Sequence, residues 1–266
     1  MNRASRPRAA LLAMLLVANA VAGPALAASS SADSTAAAPI HHEPVFGLDD
    51  LGVVLFTGVS LAILGKGDVE RSQNVSSNRS STKDDLSPFG EHFGNPVYSL
   101  PLLGVAYLAG HLGHKPGLSA SALRITGGMV TAAGLGVGAK FVFGRWRPYE
   151  SPDDAGRFDP FSSHSSFPSG HTTVAFSLAA GLDRETHAAW VPCVVYPAAA
   201  ITAWSRVYEQ KHWPTDVVAG AVLGIWASGK FDRLLRQSHG DRVSLEFMPM
   251  ADPSTGALAL GASLKF

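Results

Sequence analysis

Six apolar stretches, roughly 48–65, 98–114, 122–144, 170–182, 188–205 and 214–229, constrain this chain more than any other feature. Each is rich in Ala, Leu, Gly and Val and shows little of the strict alternation of a half-buried strand, so each is expected to be a helix. Charged residues make up only 16% of the chain, which suits either a tightly packed helical domain or a membrane-embedded one and does not separate them. Basic and acidic residues balance at 21 each, so no net charge points to nucleic acid, and any positive charge that matters must be local. The single cysteine, Cys193, excludes an intramolecular disulfide and reads as a buried thiol inside its apolar run.

The two ends differ from the middle. Arg3, Arg6 and Arg8 precede an apolar run from Ala9 to about Val21, and Ala25-Leu26-Ala27 follows as a small-residue exit. Residues 1–27 therefore read as a secretory signal and 28–47 as a flexible linker, ahead of a helical domain over 48–240. In the tail, 241–266, Val243, Leu245 and Phe247 alternate with other residues, and Leu258, Leu260, Ala262, Leu264 and Phe266 alternate with Ala259, Gly261, Ser263 and Lys265. Asp252-Pro253-Ser254-Thr255-Gly256 lies between them as a turn. A short C-terminal β-hairpin is expected there. Residues 66–97 and 148–168, dense in Ser, Asn, Asp, Gly and Pro, read as polar loops.

Three polar clusters sit at the helix ends: Lys140-Phe-Val-Phe-Gly-Arg-Trp-Arg147-Pro148, Phe167-Pro168-Ser169-Gly170-His171, and Ser205-Arg206 followed by His212-Trp-Pro-Thr-Asp216. Singly, each has a bland reading: dipole partners at a helix C-terminus, a helix cap, a surface hydrogen bond. Together they supply what phosphoryl transfer needs, which is positioning and electrostatic clamping of three charged oxygens. Lys140, Arg147 and Arg206 are the cations, two of them able to bind in a bidentate fork. The backbone N–H groups of Ser169 and Gly170 offer a helix N-terminus to an anion. His212 and His171 can divide the work of nucleophile and general acid, with Asp216 fixing the tautomer of His212 through its other ring nitrogen. His111 and His114 read as packing residues, and His164 as a solvated loop histidine near the site.

These clusters resemble the K-x6-RP, PSGH and SR-x5-H-x3-D signature of the type 2 phosphatidic acid phosphatase and vanadium haloperoxidase superfamily, over about 122–230. The resemblance implies an all-α bundle of about six helices and a phosphatase that works through a phosphohistidine without metal or other cofactor. It assigns attack to His212, proton transfer to His171, support to Asp216, and phosphate binding to Lys140, Arg147, Ser169, Gly170 and Arg206. The implied substrate is a phosphorylated one, a lipid phosphate, a pyrophosphate ester or a small phosphomonoester. The same residues in a haloperoxidase would hold vanadate. A non-catalytic envelope protein docking through its tail is the alternative from another class.

The motifs also bear on topology, because all three must meet on one side of the molecule. Six full spans would then place the start of the first helix in the cytoplasm, whereas a cleaved signal places it outside. Segments one and four hold about 13–16 mainly apolar residues against the roughly 20 that a span needs, while three and five are long enough. Lys115, Arg124, Lys230, Arg233 and Arg236 fall on the end away from the site, as positive-inside placement would have them. The expectation is an exported, periplasm-facing enzyme with five spans or with a membrane surface as its partner.

Overall fold

The computed structural model describes residues 47–239, 244–251 and 258–265; the expected signal and most of the expected linker lie outside them. Among the described residues eight helices run in order: α1 (Leu48–Gly65), α2 (Asp68–Ser77), α3 (Ser81–Phe93), α4 (Pro96–Leu112), α5 (Pro116–Phe143), α6 (Gly170–Thr186), α7 (Pro192–Tyr208) and α8 (Pro214–His239). The strands β1 (Ser244–Ala251) and β2 (Leu258–Lys265) follow and pair antiparallel, Ser244 opposite Lys265. The expected hairpin and helical bundle are both present.

The polar stretch 66–97 is not a loop but carries α2 and α3. Asp68 and Glu70 in the first turn of α2 complement its N-terminal partial charge. Ser80 caps α3, its hydroxyl accepting from the N–H of Lys83. The seam that α3 buries against α7 is polar: Ser87 donates to Glu209 at 3.0 Å, Tyr208 to Asp84 at 2.7 Å, and Thr202 to the carbonyl of Gly90 at 2.8 Å. Phe89 and Phe93 add an apolar contact with the core, but two aromatic residues in an otherwise polar segment are too few to set a helical period, and that is why the sequence presents this segment as a loop.

The centre of the bundle is α6. Its residues from Thr172 to Leu182 are buried apart from Phe176, because α5, α7 and α8 pack around it. Val174, Ala175, Leu178, Ala179 and Leu182 meet Ile125 and Met129 of α5 and Val195, Ala198 and Ala199 of α7 in one apolar core. The small residues let the helices close up. A Cβ on Gly224 of α8 would come within 2.3 Å of the Thr173 carbonyl, so glycine there sets the α6–α8 distance.

Outward-facing helices contrast with this core, α1 among them with Leu51, Leu55, Val59 and Ile63 exposed. α4 exposes Val97, Val105, Leu108 and Leu112, and α5 exposes Val130, Leu135, Val137 and Phe141. Among the described residues α5 is the one single helix both long and apolar enough to cross a membrane, about 42 Å at 1.5 Å per residue. α1 and α2, bent by 67° at their junction, reach that length and hydropathy only as a pair. Segment five, expected to be long enough, forms the 17-residue α7.

The positive charges at the far end are largely neutralised. Arg124 is buried against Glu185 at 2.5 Å, Arg236 pairs with Glu185 and Asp232, and Lys230 pairs with Asp50, leaving Lys115 and Arg233 exposed. Cys193 is exposed rather than buried, because its position on α7 faces outward. His111 is exposed and stacks on Tyr107, and His114 occupies a left-handed turn, so neither is a packing residue of the core.

Candidate active site

The site forms where α5 ends, α6 begins and α7 crosses to α8. Gly144 stops α5 in a left-handed conformation (φ +55°) with its N–H on the Lys140 carbonyl. A side chain at Gly144 would strike the Asp159 carbonyl, so only glycine lets the chain turn here. The turn leaves Lys140 on the last helical turn and sends Arg145 and Arg147 back across the same end. The 148–168 loop is tied alongside by Trp146 N–H to Arg157 O (3.1 Å) and Asp159 N–H to Gly144 O (2.9 Å).

Lys140 and Arg147 converge on Ser165: the ammonium donates to its carbonyl and the guanidinium to its hydroxyl at 3.1 Å. The Lys140 chain also lies over Gly170, its Cε 3.7 Å from where a Cβ would stand. Arg206 is 4% exposed. Among the described residues its Nη2 has no hydrogen-bond partner, and it lies 3.6 Å from Glu91, whose side chain is half exposed. A buried guanidinium edge facing a solvated carboxylate is a place an anion can take. Of the two backbone donors expected at the start of α6, Ser169 gives its N–H to the Asp216 carbonyl at 3.0 Å. Gly170, in the first turn, is the remaining one of the pair.

His212 is buried on the short crossing from α7 to α8. The Arg206 carbonyl accepts from the N–H groups of Lys211 (2.9 Å) and His212 (3.2 Å), which fixes the spacing between cation and imidazole. The tautomer is not fixed as expected. Nδ1 lies 2.7 Å from the Ser166 carbonyl, and Asp216 Oδ2 is 3.8 Å away, beyond hydrogen-bond reach. A carbonyl only accepts, so Nδ1 carries the proton and Nε2 keeps its lone pair. Asp216 instead ties the loops together, accepting from Ser166 Oγ (2.5 Å), Trp213 N–H (2.8 Å) and Arg145 (2.6 Å).

Three residues outside the sequence reading emerge here. Arg145, 4% exposed, binds Asp216, Thr215, the Ala155 carbonyl and Asp68. Its signal was present, since it stands two residues before Arg147 in the first cluster. Ser166 was hidden in a run of serines, and Asp68 in the stretch taken for a loop. His164 stacks on Trp146 at 3.7 Å between ring centres and is part-buried rather than solvated.

Burial lowers the pKa of His212, favouring the neutral ring a nucleophile needs. The pKa of His171 is pushed down to about 4, first by burial and then by the charge of Arg206. Both histidines lie at the mouth of the bundle, outside the helix of spanning length.

Residues 121–231 match the model of the PAP2 superfamily. An undecaprenyl-diphosphatase of Sulfolobus acidocaldarius is 29% identical over 161 residues, 60% of this chain and 75% of that protein. A lipid A 1-phosphatase of Porphyromonas gingivalis is 33% identical over 105 residues, but the match spans only 39% of this chain and 20% of that protein. The fold is shared with the crystal structure of a transmembrane PAP2-type phosphatidylglycerolphosphate phosphatase from Bacillus subtilis, at TM-score 0.54 and 22% identity over 68% of this chain and 92% of that one.

Proposed function

We propose, from the match of residues 121–231 to the PAP2 superfamily model, that this chain is a phosphatase that hydrolyses lipid phosphates or pyrophosphates through a phosphohistidine on His212. Lys140, Arg147, Arg206 and the Gly170 N–H hold the phosphate oxygens. Nε2 of His212 attacks phosphorus as the ester P–O bond breaks, and His171 gives its proton to the departing oxygen. Water then attacks the phosphohistidine, His171 takes a proton from it, and the Nε2–P bond breaks. Throughout, Nδ1–H stays on the Ser166 carbonyl. In the empty site His171 is neutral at pH 7, because its pKa lies at about 4. The negative charge of an arriving phosphate offsets Arg206 and restores the proton.

The observation that carries the lipid reading is an apolar rim on the same turn as Lys140. Phe141 (57% exposed) and Phe161 (67% exposed) meet edge to face at 5.4 Å. Exposed aromatic surface continuous with the outer face of α5 suits a substrate whose head is a phosphate and whose tail lies in a bilayer. The relatives named for undecaprenyl diphosphate and lipid A agree with it. The site faces the periplasm in this reading, with α5 crossing the membrane and the expected signal directing export.

Phosphate release from a polyprenyl pyrophosphate, a phosphatidic acid and a chromogenic monoester, each with and without detergent, tests the substrate class. A lipid substrate is expected to be preferred. Phe161→Ser is expected to raise the lipid KM about fivefold, roughly the loss of 1 kcal/mol of apolar contact, and to spare the monoester. Preference for the monoester, with Phe161→Ser neutral on all three, would identify a soluble-type acid phosphatase instead.

A further inference from the structure

We propose that Asp68, on α2 and outside the family-matched segment, is a positioning residue for the phosphoryl transfer, acting on His212 through Arg145 and Asp216. Asp68 is fully buried. Its carboxylate accepts from Arg145 at 2.8 Å, from the Thr215 N–H at 3.1 Å and from the Thr215 hydroxyl. The other edge of the Arg145 guanidinium binds Asp216 at 2.6 Å and Thr215 Oγ1 at 2.7 Å. Asp216 Oδ2 then lies 3.8 Å from Nδ1 of His212. Two carboxylates share one guanidinium, so the cluster keeps one negative charge beneath the imidazole.

That residual charge has a use only while His212 is positive. Attack through Nε2 with Nδ1 still protonated turns the ring into a phosphoimidazolium cation. Lys140 and Arg147 are cations near the ring and oppose that charge. In a buried site a charge of opposite sign a few ångströms away is felt strongly. If Arg145 served Asp216 alone, the pair would be neutral. Asp68 takes up half of the guanidinium and so leaves Asp216 able to stabilise the ring. It also fixes the direction of the Arg145 fork and, through Thr215, the first turn of α8 on which Asp216 stands. This inference rests on the phosphohistidine reading above.

The test is Asp68→Asn in the full chain, with inorganic phosphate and orthovanadate as competing ligands. Phosphate reports the ground state; vanadate, which takes up five-coordinate geometry on a nucleophile, reports the state in which His212 is cationic. The expected result is a kcat lowered about 10- to 100-fold, as for other orienting partners of a reactive imidazole. KM and phosphate inhibition are expected within about threefold of wild type, and vanadate affinity is expected to fall with kcat. A wild-type kcat, or phosphate and vanadate weakened alike, would overturn the proposal. Should Asp68→Asn not fold, Thr215→Val keeps the shape, removes the hydroxyl that joins Asp68 to Arg145, and is expected to show the same split to a smaller degree; wild-type behaviour there would overturn it as well. His212→Ala in parallel separates the two claims: turnover surviving in that variant refutes the phosphohistidine reading on which this one rests, whereas turnover lost there with a wild-type Asp68→Asn refutes the role of Asp68 alone.

Discussion

At the scale of single residues, the chemistry turns on which atoms of His212 are occupied. The Ser166 carbonyl holds Nδ1 at 2.7 Å, and Ser166 is itself held by Asp216 and by the Arg145 carbonyl, so the attacking nitrogen is aimed by a loop rather than by a carboxylate. The partner histidine carries a pH prediction. His171 must be protonated for the first step, and in the empty site its pKa is about 4. The kcat/KM profile, which reports free enzyme, is therefore expected to decline on the alkaline side from about that pH. The kcat profile, which reports the complex, is expected to decline at a higher pH, because bound phosphate favours the protonated ring. Coincident alkaline limbs in the two profiles would remove His171 from that role.

At the scale of elements, close approach of helices positions the site. Gly224→Ala puts a methyl group against the Thr173 carbonyl, pushing α8 from α6, and is expected to cost about 1–3 kcal/mol. Gly138→Ala on the exposed side of α5 meets nothing within 4 Å and is expected to leave stability unchanged or raise it by up to about 1 kcal/mol. Thermal denaturation in detergent checks the pair, and equal losses would contradict the packing account. The same distinction explains what the sequence could disclose. Apolar runs disclosed α1, α4, α5, α6, α7 and α8, and the alternation in the tail disclosed the two paired strands. α2 was illegible because Asp68 anchors it through hydrogen bonds, and α3 because Ser87 and Gly90 hold it by hydrogen bonds while only Phe89 and Phe93 reach the apolar core. Lys140, Arg147, His171, Arg206, His212 and Asp216 were legible from motif spacing. The Asp68–Arg145 pair was not, since its members lie 77 residues apart.

At the scale of the whole molecule, a polar site at one end and exposed apolar faces on α4 and α5 belong together if substrate arrives from a bilayer. Membranes prepared from expressing cells are expected to retain the protein through a high-salt wash and release it to detergent; release by salt alone would mean attachment by charge rather than by apolar burial. The chemistry itself is tested most directly by acid-free rapid quench of the enzyme with a radiolabelled phosphate ester. The account predicts label trapped on wild-type protein, stable to base and labile to acid, and absent from His212→Ala together with turnover. Label or turnover persisting in His212→Ala would contradict it.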